Sequence, residues 1–176
     1  MFKGFLCLII IFSCGGLGIL KSQVYSQRLE ELRDLKEMIR ILQTEMSYLK
    51  DPLPAVFARV GSYKDNRAMD LLWECSRLMK ENLNLKQCWD QALERAYSGS
   101  CLREEDRIVI SDLGLQLGKS DLRGQASMFS LAETRLETQI EAAAKDKETK
   151  GKMYRGIGFS IGVVIAIILI DRKSVV

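Results

Sequence analysis

The sequence predicts an all-α protein, an antiparallel bundle of about six helices whose long first and last helices are continuous with N- and C-terminal transmembrane helices. Three observations predict it. Apolar segments stand at both ends, Gly4 to Leu20 and Gly156 to Ile170. Behind the first, Leu32, Leu35, Ile39, Leu42, Met46 and Leu49 recur at spacings of 3, 4, 3, 4 and 3, a heptad seam. Shorter amphipathic stretches follow, each bounded by helix-capping residues. The expected division is an N-terminal transmembrane anchor over 1–21, a cytoplasmic helical bundle over 22–152 and a C-terminal transmembrane anchor over 153–176.

The terminal segments are close to the minimum length. The hydrocarbon layer takes about 20 apolar residues. Gly4 to Leu20 counts 17, and reaches across if Lys3 and Lys21 extend into the headgroup layer. Gly156 to Ile170 counts 15, and spans with Met153 and Tyr154 included while Arg155, Arg172 and Lys173 snorkel. Lys3 ahead of an apolar core also fits a secretory signal peptide. No small-residue cleavage pattern follows Leu20, however, and an uncleaved anchor is favoured. Ten basic residues flank the inner ends of the two segments and only Lys3, Arg172 and Lys173 the outer ends. The positive-inside rule then puts the central domain in the cytoplasm of a two-pass protein.

Nothing between Leu20 and Lys50 breaks a helix, so the first anchor is expected to continue into the seam. Asp51, Pro52, Leu53 and Pro54 stop it, because proline lacks a donor and disfavours helix in the residue before it. The seam serves either an intramolecular bundle or a homodimeric coiled coil. The amphipathic helices that follow need a partner, which favours the bundle. Ala55 to Val60 ends at Gly61. Asn66 caps a helix carrying Met69, Leu72, Trp73 and Cys75, and Asn84 one carrying Leu85, Cys88, Trp89 and Ala92. Both tryptophans read as packing. Ser100 opens a helix whose Glu104, Glu105 and Asp106 sit at the positive end of its dipole; it runs to a C-cap at Gly118. Asp121 caps a long last helix, and Gly151 is the expected joint before the second anchor.

The composition argues against most chemistry. There is no histidine, so neither a Ser-His-Asp nor a Cys-His pairing exists. The five cysteines form no C-x-x-C pair, and Cys75, Cys88 and Cys101 read as buried free thiols. Gly118, Lys119 and Ser120 resemble the end of a phosphate-binding loop, but the required first glycine falls on Leu113. The net charge of +3 comes from basic residues interleaved with acids, which argues for no nucleic-acid partner. No catalytic residue, cofactor or metal is expected.

Two small-residue pairs stand in the terminal segments: Cys14 with Gly18, and Gly158 with Gly162. Their spacing suits close packing of membrane helices. Asp51, Lys119 and Asp121, at exposed turns, are the candidate contacts for a protein partner.

The stretch Leu29 to Leu53, with its Glu45, Tyr48, Pro52 and Leu53, and the run Leu113, Gly114, Leu117, Gly118, Asp121 and Gln125 resemble the stage III sporulation protein AB family. The likeness spans nearly the whole chain. It implies an integral membrane protein of the channel joining mother cell to forespore, in the mother-cell membrane that faces the forespore. It also implies a soluble domain similar to the helical domain of the type II secretion inner-membrane platform protein, general secretion pathway protein F. The partners so implied are membrane lipid, other membrane subunits of the channel and a secretion-type ATPase, with a homo-oligomer also open. The present sequence has one such domain and two spans where the platform protein has two domains and more spans.

Overall fold

The computed structural model describes residues 2–48, 51–81, 83–117 and 122–171; the side chains of 2–12, 14, 17, 122, 123, 166 and 168–171 are outside that description. Among the described residues every regular element is helical: α1 (Phe2–Tyr48), α2 (Leu53–Gly61), α3 (Arg67–Met79), α4 (Leu85–Ala96), α5 (Glu104–Leu117), α6 (Leu122–Asp146), a π-helical turn (Lys147–Gly151) and α7 (Lys152–Asp171). The chain divides into two compact units, one of Met1–Leu29 with Ala142–Val176 and one of Glu30–Glu141. Helices α1 and α6 contribute to both.

In the Glu30–Glu141 unit, α2 packs on α3, α3 on α4 and α4 on α5. Ion pairs give the direction of α1. Lys36 meets Glu137 and Arg40 meets Glu133, so four residues up α1 correspond to four down α6, and the two run antiparallel. Glu45 takes Arg59 at 2.9 Å while Glu37 takes Lys64 at 2.6 Å, which sets α1 against the α2 region in the same sense.

The heptad seam faces inward: Leu32, Leu35, Ile39 and Leu42 are fully buried, joined by Met38, Phe57, Val60, Met69 and Leu72. Each such side chain contributes about 1.5–3 kcal/mol of burial. Because this face is consumed inside the unit, it is not available as the seam of a homodimeric coiled coil. Leu49 lies outside the described residues.

The capping residues act as the sequence predicts at two helices. Asn66 Oδ1 accepts from Met69 N at 3.0 Å and Asn84 Oδ1 from Gln87 N at 2.9 Å. Pro52 opens α2 and Pro54 occupies its first turn, where a missing N–H costs nothing. Ser100 does not cap α5; the helix begins at Glu104, and buried Asp106 reaches back to accept from Arg103 N at 2.9 Å, half of a capping box. Gly151 is not a joint. It ends the π-helical turn, from which α7 continues without interruption. The expected caps at Gly118 and Asp121 lie outside the described residues.

The described residues begin and end in helix, at Phe2 and Asp171. Among the described residues, however, no helix is long and apolar enough to cross a membrane. The reason is extent: the apolar run of α7 is 15 residues against the roughly 20 needed, and the side chains of 168–170 and 2–12 are not described.

Candidate functional site

The terminal unit is built around a close crossing of α1 and α7. A Cβ on Gly18 would stand 2.6 Å from the Tyr154 carbonyl oxygen and 3.3 Å from Gly158 Cα, so only glycine admits this approach. One turn further along α1, buried Ser22 accepts from Arg155 Nε at 2.9 Å. The next turn carries Tyr25, whose ring stacks on Tyr154 with centroids 6.0 Å apart. As α1 rises from 18 to 25, its partners on α7 descend, so the pair is antiparallel. Tyr154, Gly158 and Gly162 share one face of α7 at intervals of four, Gly151 at the end of the π-helical turn stands three residues before Tyr154, and Gly151 and Gly162 are buried. Of the small residues singled out in the sequence, Gly18 and Gly158 are thus brought together. The Cys14 side chain is outside the described residues.

Below the crossing, Arg28 is 3% exposed and stands 3.9 Å from Asp146, which also takes Lys150 at 2.8 Å.

In the other unit, Asp51 is part of a turn-tying network. Arg59 donates through Nη2 to Asp51 and through Nη1 to Glu45 at 2.9 Å, while the Tyr63 hydroxyl donates to the other Glu45 oxygen at 2.9 Å. The Asp51 hydrogen bond, then that of Glu45, raises the Arg59 pKa. Asp51 is exposed, but its carboxylate is engaged in closing the turn between α1 and α2. Lys119 and Asp121, the other two candidate contacts, lie outside the described residues.

The loop after α4 is held by arginines. Arg67 Nη1 donates to the carbonyls of Ala96 and Ser98 at 3.1 and 3.0 Å, and its Nε faces Glu31 at 3.5 Å. Glu31 in turn accepts from Cys101 N at 3.1 Å, and Arg107 Nη2 donates to the Tyr97 carbonyl at 2.9 Å. Gly99 takes a positive φ of 69° here, the left-handed end of a helix that favours glycine. Within this loop Tyr97 is fully buried and its hydroxyl has no hydrogen-bond partner among the described residues. Burial pushes its pKa far above the usual phenol range, and Glu31 and Asp34 push it further.

Sequence reading missed Trp73. It is 54% exposed, whereas Trp89 is 1% exposed, with Nε1 donating to the Ile110 carbonyl at 2.9 Å. Beside Trp73 on α3, Glu74 accepts from Arg77 at 2.7 Å and from Arg95 of α4. An open groove of about 400 Å³ on α1 is lined by Arg33, Lys36, Glu37, Arg40 and Ile41.

Burial pushes the Cys75 thiol up to about 12, and Cys88 and Cys101 are also raised by burial. Such thiols stay protonated, a poor state for a nucleophile or metal ligand. Among the described residues no group of three cysteine or carboxylate side chains is placed to hold a metal ion.

The family model described as stage III sporulation protein AB matches residues 3–170. The chain belongs to that family. It is similar to the stage III sporulation protein AB of Bacillus subtilis (strain 168), 25% identical over 162 residues that cover 91% of this chain and 94% of the relative. A solved structure titled stage III sporulation protein AB shares the fold with a TM-score of 0.64 at 23% identity, covering 70% of this chain and 98% of that one. Membership in the family carries a role in sporulation.

Proposed function

We propose that the protein is a non-enzymatic, two-pass scaffold subunit of a sporulation channel, set in the mother-cell membrane facing the forespore. In this reading the terminal segments are the anchors. The helical body stands on the cytoplasmic side as a docking surface for a secretion-type ATPase and other membrane subunits.

The observation that carries the membrane part is the outer surface of α7. One face turns Tyr154 and Gly158 to α1, and the others leave Met153, Ile157, Phe159, Ile161, Val164 and Ile167 between 44 and 61% exposed. Apolar surface of this density in water favours association, and lipid relieves it. All backbone groups of such a helix are satisfied within the segment, as a bilayer requires.

The docking part rests on family membership and on the body's construction. Its charged side chains tie separate elements together, Lys36–Glu137 and Arg135–Asp112 between helices and Lys64–Glu37 from the loop after α2 to α1. That arrangement makes a stiff surface rather than a converging set of reactive groups. Single-cysteine variants on the exposed body, crosslinked in sporulating-cell membranes, test it. Capture of an ATPase or of further membrane subunits is the expected result, and capture of the protein alone at every position would sink the docking role. Protease added outside intact cells is expected to leave the body intact; its digestion would refute the orientation.

A further inference from the structure

The charge of the chain is partitioned. Residues 21–29 and 142–155 carry seven basic residues against two acids, while residues 30–141 carry sixteen basic residues against twenty acids. In these segments both acids are already engaged by a lysine four residues on, Asp146 by Lys150 at 2.8 Å and Glu148 by Lys152 at 3.2 Å. Lys21, Lys145 and Lys147 are exposed, and their ammonium groups take no partner among the described residues. Arg155 donates through Nε to Ser22, which fixes the guanidinium's position and leaves its two terminal nitrogens without a partner among the described residues.

Lys21 and Arg155 adjoin exposed apolar residues on both helices, Ile19 and Leu20 on α1 and Ile157 on α7, while Lys147 and Lys145 stand eight and ten residues before Arg155, about 12 and 15 Å further from that surface. The stacked Tyr25–Tyr154 pair marks the same level, the position amphipathic rings take at a membrane surface. We infer that Lys21 and Arg155 at this level, with Lys145 and Lys147 two to three turns behind them, form a collar that binds the phosphates of anionic phospholipids. A planar guanidinium held at one nitrogen suits a phosphate's oxygens, and lysines near the surface add attraction that scales with the anionic lipid content. Charge complementarity selects lipid over water here: Lys21 and Arg155 are cationic, with no carboxylate partner among the described residues, where the apolar surface begins. The inference rests on the membrane-anchored reading.

The test uses the full chain in vesicles of phosphatidylcholine alone and of phosphatidylcholine with phosphatidylglycerol. Co-flotation reports anchoring, and spin-labelled lipids report selectivity. Expected is co-flotation with both compositions and enrichment of the phosphatidylglycerol label, weakened by salt. In Lys145→Gln/Lys147→Gln/Arg155→Gln the enrichment falls, by up to about fivefold per charge removed. In Lys145→Arg/Lys147→Arg/Arg155→Lys it is kept, which separates charge from a folding defect. Co-flotation with both compositions and equal association of the two labels overturns the collar while leaving the anchors standing. Equal association, with the glutamine variant instead losing crosslinks to a neighbouring subunit, overturns it in favour of an acidic protein surface. Failure to co-float with phosphatidylcholine vesicles overturns the anchored reading and the collar with it.

Discussion

Trp89 occupies the space that a side chain at Gly114 would need. A Cβ on that glycine would stand 2.2 Å from the indole Cδ1, and the indole Nε1 donates to the carbonyl of Ile110, one turn earlier on α5. The ring is 1% exposed and tilts against Phe57 at a centroid distance of 5.9 Å, so it has nowhere to retreat. Gly114→Ala is therefore expected to lower stability by about 2–3 kcal/mol, the cost of overpacking a tight core. Chemical unfolding of the full chain in detergent measures it. A double variant with Trp89→Leu is expected to lose less than the sum of the single changes, and full additivity would contradict the contact.

The crossing of α1 and α7 gives a second expectation with an internal control. Gly18→Val drives its side chain into the Tyr154 carbonyl, whereas Gly15 has nothing within 4 Å of an added Cβ. Spin labels at Gln23 and Lys152 are expected to move apart in Gly18→Val and to keep their separation in Gly15→Val. Equal behaviour of the two variants would rule out the crossing.

Tyr97 carries a buried hydroxyl without a partner among the described residues. An unsatisfied polar group of this kind costs about 1–3 kcal/mol. Tyr97→Phe keeps the ring and removes the cost, so it is expected to raise stability by about 1 kcal/mol. A loss of stability would mean that the hydroxyl is bonded after all.

Two carboxylates on the body respond to pH with opposite signs. Hydrogen bonds from Arg77 and then Arg95 hold Glu74 at about 2, below its unfolded value of 4.5. Its stabilisation is present above pH 4.5 and is lost as pH falls toward 2. Glu74→Gln is expected to cost about 1 kcal/mol at neutral pH, a figure reduced for solvent screening, and the gap to the parent closes across that acid range.

Asp34 runs the other way. Burial raises its pKa above the unfolded value of 3.8, so its charged form is a liability that is absent below pH 3.8 and complete once pH passes the raised folded value. Asp34→Asn is expected to stabilise at neutral pH and to make no difference in strong acid. Unfolding midpoints of both variants across the acid range distinguish the two signs.

The helices and the inward face of α1 were legible in the sequence because period and capping are local. Asn66 and Asn84 announce their helices three residues ahead of the N–H groups they accept, and the spacing of Leu32, Leu35, Ile39 and Leu42 shows which face is buried. Trp73 misled because its type argues for burial while its azimuth, one residue on from Leu72, places it at the edge of the buried stripe. The Trp89–Gly114 contact had only one local sign, a glycine inside a helical pattern, and its partner lies 25 residues away. The turn between α5 and α6, with two of the three expected partner contacts, lies outside the described residues. The unpaired cations of the terminal unit were visible as charge, but the pairing that consumes Asp146 and Glu148 was not.

The π-helical turn from Lys147 to Gly151 gives the chain's length a rotational meaning. Such a turn holds an extra residue relative to regular α-helix, and each residue advances the azimuth by about 100°. Removing one residue there lets the turn close to regular α-helix with Gly158 still facing Gly18. Removing one from Lys152 to Ile157, where there is no extra residue to give up, would instead bring Phe159 to that position and set a benzyl group where only a hydrogen fits. A single-codon deletion in the first turns of α7 would thus misdirect the rest of the helix while leaving its composition almost untouched.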